Sequence, residues 1–278
     1  MDYWLFATLV GLGSFVAGFL GALTGLGGGV VIVPLLTLGF DVDIHYAAGA
    51  SLVSVIATSS GAAAAYVREG YSNIRVGMVL EIATTLGALA GAHLAGLVST
   101  SAIAVVFGGV LIFSALFSRH TAEDSIAPIA PDRLATLLKL DSTYPTPAGS
   151  VAYRVRRVPL GFALMGCAGV LSGLLGIGSG AVKVLAMDRA MRLPFKVSTT
   201  TSNFMIGVTA AAGAGVYLRR GFVDPALAMP VLLGVLPGAL AGARVLGGAK
   251  VAILRLMFAV VISALGCEMI YNGWTGRL

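Results

Sequence analysis

The chain has 278 residues, 58% of them hydrophobic and only 11% charged, with a mean hydropathy of +0.95. Soluble domains carry about 25% charged residues, and so few polar side chains cannot cover a globule of this size, so a soluble protein is excluded and an integral membrane protein is read. The net charge of +6 is spread over the connections between apolar runs, where it sets topology and does not make a nucleic-acid surface.

The apolar runs are long and continuous, unlike the short alternating segments of a barrel, so the fold is read as all-α and polytopic. Residues 5–38 form the first run. Only Asp2 precedes it as a charge, with no basic segment, so it reads as embedded chain and not as a signal peptide. The run is too long for one crossing of about 20 residues, and Gly25-Leu26-Gly27-Gly28-Gly29 interrupts it. Residues 47–67 are a second segment, with Ser51, Ser54, Thr58, Ser59 and Ser60 along it; 76–98 are a third, carrying Glu81 and His93; 102–117 are a fourth. The polar connection 118–157 contains an amphipathic piece, 131–140, that suits a short helix on the membrane surface. It divides the chain into a first half, 1–117, a cytoplasmic linker, 118–157, and a second half, 158–278. In the second half 158–175 is apolar, Gly176-Ile177-Gly178-Ser179-Gly180 interrupts, and 197–218, 225–246 and 251–270 follow, giving eight to ten helical segments in all. Cys167 and Cys267 lie in apolar segments and read as small core fillers, with neither a disulfide framework nor a metal cluster.

The second half repeats the first at a constant offset of 151 residues: Gly25 falls on Gly176, Gly29 on Gly180, Ser51 on Ser202, Thr58 on Thr209, Tyr66 on Tyr217, Gly87 on Gly238 and Gly91 on Gly242. A register held over this span indicates duplication. If each glycine break is a turn that returns the chain to its starting side, one face collects Arg68, Arg75, the linker, Arg189, Arg192, Lys196 and Lys250. The other face keeps Arg219, Arg220 and Arg277. If each broken segment crosses instead, the linker and Arg68 fall opposite Arg189 to Lys196. The concentration of positive charge on one cytoplasmic face favours the return. Both termini are then outside, and the halves are inverted repeats, an architecture that places a site at the repeat interface.

A helix beginning inside the membrane presents N–H groups that its own turns do not satisfy, and these attract anions. The breaks are therefore read as paired anion-binding half-helices starting near Val30 and Ala181; the alternative is tight packing of small residues. Neither break ends in the Gly-Lys-Ser/Thr of a nucleotide loop. Lys183, whose repeat counterpart is Ile32, is either an anion attractor or a side chain that reaches the cytoplasmic face by its stem. Ser202 and Asn203 can hold an oxyanion through hydroxyl and amide, while Ser198 is read as a helix cap. Glu81 is either a proton carrier or an interfacial carboxylate. The three histidines, His45, His93 and His120, have no metal-ligand spacing. No nucleophile arrangement is present, so an enzyme is not expected.

The glycine breaks, the hydroxyl cluster and the duplication resemble the TauE/SafE family of sulfite and organosulfonate exporters, which includes permeases of the toluenesulfonate-uptake type. The resemblance rests on Gly25 to Gly29 with Val33-Pro34-Leu35-Leu36, Ala50-Ser51, Gly70 and the run from Gly87 to Ala92. In the second half it rests on Gly176 to Gly180, Thr201-Ser202, Gly221 and Gly238 to Gly242. Two departures are Ser179 within the second glycine pattern and Lys183-Val184-Leu185 where the first half has Pro34-Leu35-Leu36. The resemblance implies export of sulfite, sulfoacetate or a related small sulfonate across a bacterial-type inner membrane; the inverted repeat adds alternating access, and Glu81 motivates proton coupling as a hypothesis. The expected anion site comprises Gly28, Gly29, Ser51, Ser179, Gly180, Lys183, Ser202 and Asn203, with no cofactor. The readings kept beside it are a permease for another oxyanion or a metal ion, a channel, and a non-transporting scaffold. The sequence leaves the oligomeric state open, a homodimer included.

Overall fold

A computed structural model describes residues 3–24, 28–68, 70–117, 132–146, 149–246 and 251–277. The first half contributes α1 (Tyr3–Thr24), α2 (Gly29–Phe40), α3 (Ile44–Arg68), α4 (Ile74–Ala95) and α5 (Thr100–Phe117). The connection holds α6 (Arg133–Leu137) and an antiparallel hairpin of β1 (Ser142–Thr146) and β2 (Gly149–Tyr153). The second half contributes α7 (Val158–Leu175), α8 (Gly180–Leu185), continued by a π-helical turn over Ala186–Ala190, then α9 (Phe195–Arg219), α10 (Pro225–Leu246) and α11 (Val251–Thr275).

Among the described residues, four helices are long and apolar enough to cross a membrane, over Trp4–Gly21, Ile74–Ala95, Val158–Leu175 and Pro225–Gly242. They belong to α1, α4, α7 and α10. Each turns one face outward: on α4, Met78, Ile82 and Leu86 are exposed at helical spacing while Leu80, Ala83, Thr84 and Gly87 are buried. A multi-pass membrane protein of this kind gains nothing by hiding these side chains from lipid, so the inward faces are small and the outward faces large.

Packing joins one half to the other. The broadest pairings are α1 with α10 and α4 with α7, followed by α5 with α11 and α3 with α9. Glycine makes the first two possible. A Cβ on Gly91 would overlap the Val170 carbonyl, and one on Gly173 the Ala88 carbonyl. At the other crossing, Gly234 lies on the Gly11 carbonyl and Gly238 on that of Phe15. The central pair runs antiparallel, with Gly207 against Ser59 and Gly213 against Leu52. So do α5 and α11, with Gly108 against the Gly266 carbonyl and Gly273 against that of Ser101.

The connection between the halves is docked. Asn73 caps α4 by accepting from the Val76 N–H, and its amide donates to the Leu140 carbonyl and to the Tyr153 hydroxyl, both at 2.8 Å. The Arg156 N–H donates to the Met191 carbonyl at 3.0 Å. The β-hairpin has no counterpart in the sequence reading, because Pro145 and the short polar strands give no apolar alternation. The amphipathic piece does contain a helix, but only over Arg133–Leu137, capped by Asp132.

Two expectations are corrected. Cys167 and Cys267 are both exposed and do not fill the core; on an outer surface that is apolar already, a thiol needs no cover. Ser198 is not the cap of α9: the helix starts at Phe195 after Pro194, and Ser198 lies inside its first turn.

Candidate functional site

The two interruptions meet in the middle of the molecule. Gly29 is the first residue of α2, and a Cβ there would stand 3.4 Å from the Ile177 Cα and 2.6 Å from the Ser51 Oγ. Gly178, with φ +73°, presents its bare face to Ile206 of α9 and Val55 of α3. The start of α2, the turn between α7 and α8, and the two central helices therefore converge, and the close approach is possible because these positions are glycine. Gly28 packs against Val235 and Gly18. Gly25, Leu26 and Gly27 lie outside the described residues.

Hydroxyls line the convergence. Ser51 Oγ donates to the Gly176 carbonyl at 2.8 Å, tying α3 of the first half to the break of the second. Ser202 Oγ donates to the Gly180 carbonyl at 3.3 Å. Ser179 precedes α8 in the left-handed conformation at φ 48°, makes no cap with its side chain, and its buried Oγ has no hydrogen-bond partner. Asn203 is buried on α9. The fold thus brings Gly29, Ser51, Ser179, Gly180 and Ser202 together, with Gly28 at the edge. The helices α2 and α8 begin at Gly29 and Gly180, each one residue before the position read from sequence.

Lys183 and Glu81 form a second feature. Lys183 is 0% exposed, so its stem does not carry it to a membrane face. Its Nζ donates to Thr209 Oγ1 on α9. Thr209 Oγ1 in turn donates to Glu81 Oε1 on α4 at 2.6 Å, and Thr85 Oγ1 donates to the same oxygen at 3.1 Å. Glu81 is 8% exposed and its Oε2 has no partner, so it is no interfacial carboxylate. The α8 ammonium and the α4 carboxylate are joined through one hydroxyl of the helix between them. A buried charge left alone is expensive, and pairing through hydrogen bonds is what makes this one tolerable.

Sequence reasoning found the two charges and missed Thr209, which it met only as the repeat match of Thr58. The available signal was that lone opposite charges in apolar segments need a shared polar neighbour. His93 stands apart at the far end of α4, bonded to the Leu89 carbonyl. Among the described residues there is no group of three or more His, Cys, Asp or Glu able to hold a metal ion.

Comparisons with known proteins agree with one another. A family profile described as "Sulfite exporter TauE/SafE" matches residues 10–269. The "Probable membrane transporter protein YunE" of Bacillus subtilis is 30% identical over 96% of this chain and 98% of its own length. The "Probable membrane transporter protein YdhB" of the same organism is 30% identical over 85% of this chain and 89% of its own. A "Probable membrane transporter protein" of Xylella fastidiosa is 25% identical over 95% of both. No solved structure matches the chain.

Proposed function

The chain belongs to the sulfite exporter TauE/SafE family, a class of membrane transporters and not of enzymes, and from that premise we propose that it exports small sulfur-containing anions by alternating access. The substrate class is sulfite, sulfoacetate or a related two- or three-carbon sulfonate. The anion sits between the two interruptions, held by the N–H groups at the starts of α2 and α8 and by Ser51, Ser179, Ser202 and Asn203, with Lys183 supplying the countercharge. The observation that carries this reading is the convergence of the breaks, with Gly29 against Ile177 and the unpartnered Ser179 hydroxyl beside them. The first N–H groups of a helix have no acceptor within it, and a sulfonate or sulfite oxygen is a fitting one.

The halves are inverted repeats in this reading. The antiparallel course of α3 against α9 and of α5 against α11, each a pair of sequence counterparts, supports it, as does the basic linker on one face. The membrane is a bacterial-type inner membrane with both termini outside. Glu81 carries the coupling proton.

The test is flux of radiolabelled sulfite and sulfoacetate from proteoliposomes of the purified protein, with sulfate and acetate as competitors. Saturable flux of a sulfur anion, lost in Gly29→Leu, supports the reading. Equal flux of acetate, or flux untouched by Gly29→Leu in folded protein, overturns the site.

A further inference from the structure

We infer that Glu81 and the transported anion compete for Lys183, with the Thr209 hydroxyl as the positioning group between them, so that one proton crosses with each anion in the same direction. The inference rests on the transport reading above and specifies how its site is coupled.

Count the hydrogen-bonding capacity. An ammonium has three donors and a carboxylate about four acceptor positions. The Lys183 Nζ, fully buried, donates to Thr209 Oγ1 and has no second hydrogen bond among the described residues. Glu81 Oε2 is buried and has no partner at all. Both ends of the chain of bonds are therefore underused, and both lie at the foot of the second break: Lys183 is on α8, one turn beyond the unpartnered Ser179. Thr209 Oγ1 accepts from Lys183 and has two acceptors for its single proton, Glu81 Oε1 at 2.6 Å and the Met205 carbonyl at 3.0 Å, of which the carboxylate is the nearer and the charged one. An anion entering at the break finds the free donors of Lys183.

Charge then decides the stoichiometry. Empty, the site is neutral, with one ammonium and one carboxylate. An anion bound to Lys183 makes it net negative in a dry interior, which is strongly unfavourable. A proton added to Glu81 Oε2 restores neutrality; the only bond formed is that O–H bond, and it breaks again on release. The ammonium stays charged and pairs with the anion. Glu81 and Lys183 are the charges that act on one another. The other titratable groups on the surrounding elements are engaged or remote. On α7, Cys167 is exposed; at the ends of α4, Arg75 donates to the Lys139 carbonyl and His93 is bonded to that of Leu89. On α9, Lys196 lies over the Tyr71 ring, the Tyr217 hydroxyl donates to Leu174, and Arg219 is exposed. Asp188 and Arg189 belong to the π-helical turn that follows α8.

The probe is isethionate, a sulfonate that does not itself titrate near neutral pH, in proteoliposomes holding either a pH gradient or a potassium-diffusion potential. One proton per monovalent anion makes transport electroneutral, so isethionate accumulates on the acid-driven gradient and ignores the potential. Thr209→Val lowers pH-driven accumulation by about 100-fold, at the low end of what a positioned proton-transfer group contributes, while Thr209→Ser restores it. Glu81→Gln converts the flux to one driven by potential. Wild-type flux that follows the potential and ignores pH overturns the inference and leaves the transporter standing. Unchanged coupling in Thr209→Val, with Thr209→Ser as the folding control, removes Thr209 from it. No flux of isethionate or of sulfite, in protein shown to be folded, overturns the transport reading itself.

Discussion

Positions that correspond in the two halves carry different chemistry around Lys183. Lys183, Thr209 and Glu81 correspond to Ile32, Thr58 and Leu232 at the offset of 151 residues. Ile32 is 0% exposed, as is Lys183. Thr58 turns its hydroxyl back onto its own helix, donating to the Ser54 carbonyl at 3.0 Å; Thr209 reaches its own Met205 carbonyl at the same distance but also links Lys183 to Glu81. The set Ile32, Thr58 and Leu232 shows what these positions hold when only packing is required: two aliphatic side chains and a threonine satisfied locally. The counterpart set accepts two buried charges, Lys183 from the second half and Glu81 from the first. Since a well-packed apolar pair is usually as stable as a buried ion pair or more so, stability alone does not account for the charges.

The largest effect comes from converting the charged set to its apolar counterpart in steps. Glu81→Leu alone strands the Lys183 ammonium, and loss of one partner of a buried pair costs about 3–5 kcal/mol. Adding Lys183→Ile removes the stranded charge and recovers most of that loss. Denaturation in detergent measures both; a double variant no more stable than the single would show that the two positions are not interchangeable with Ile32 and Leu232. Next come the parts that the halves share. Gly87 and Gly238 each face a carbonyl, of Gly166 and of Phe15. Gly87→Val and Gly238→Val should each lose about 1–3 kcal/mol by overpacking and by similar amounts, whereas Gly109→Ala, with open space at its Cβ, loses nothing. Unequal losses at Gly87 and Gly238 would mean that the two crossings are less alike than their sequences.

Most of this architecture was legible because it is written in periodicities and interruptions. The apolar lengths give the helices, and the two glycine breaks give the starts of α2 and α8 to within one residue. What was not legible depends on contact across the chain. Lys183 and Glu81 stand about one hundred residues apart, on helices whose adjacency follows from packing, so each had two readings until a neighbour chose between them. Thr209 gave no sign, because a threonine in a membrane helix satisfies its own backbone by default, as Thr58 does. The linker hairpin was hidden for a related reason: it is held by Asn73 and Tyr153, single polar side chains with no pattern. The cysteines were misread because a soluble-protein rule, that free cysteine is buried, was applied where the outside is apolar too.

Two smaller effects separate support from binding at the breaks. Ser51→Ala removes the 2.8 Å bond to the Gly176 carbonyl; a net loss of about 1 kcal/mol in stability is expected, with weaker sulfite binding because the turn between α7 and α8 is no longer held from α3. Ser179 behaves in the opposite way. Its counterpart in the first half is Gly28, so Ser179→Gly writes the first break into the second. The wild-type serine holds φ at 48° and hides an unpartnered hydroxyl, two features that each oppose folding. Glycine removes both, and the variant should melt no lower than the parent and gain up to about 1 kcal/mol, the net of a left-handed site relieved and a more flexible unfolded chain. Sulfite or sulfoacetate binding, measured by calorimetry on the same preparation, should nonetheless weaken. Stability and affinity moving apart in this way is the behaviour of a group kept for a ligand. If affinity stays as in the parent while the melting point rises, the Ser179 hydroxyl is not a ligand group and the anion is held without it.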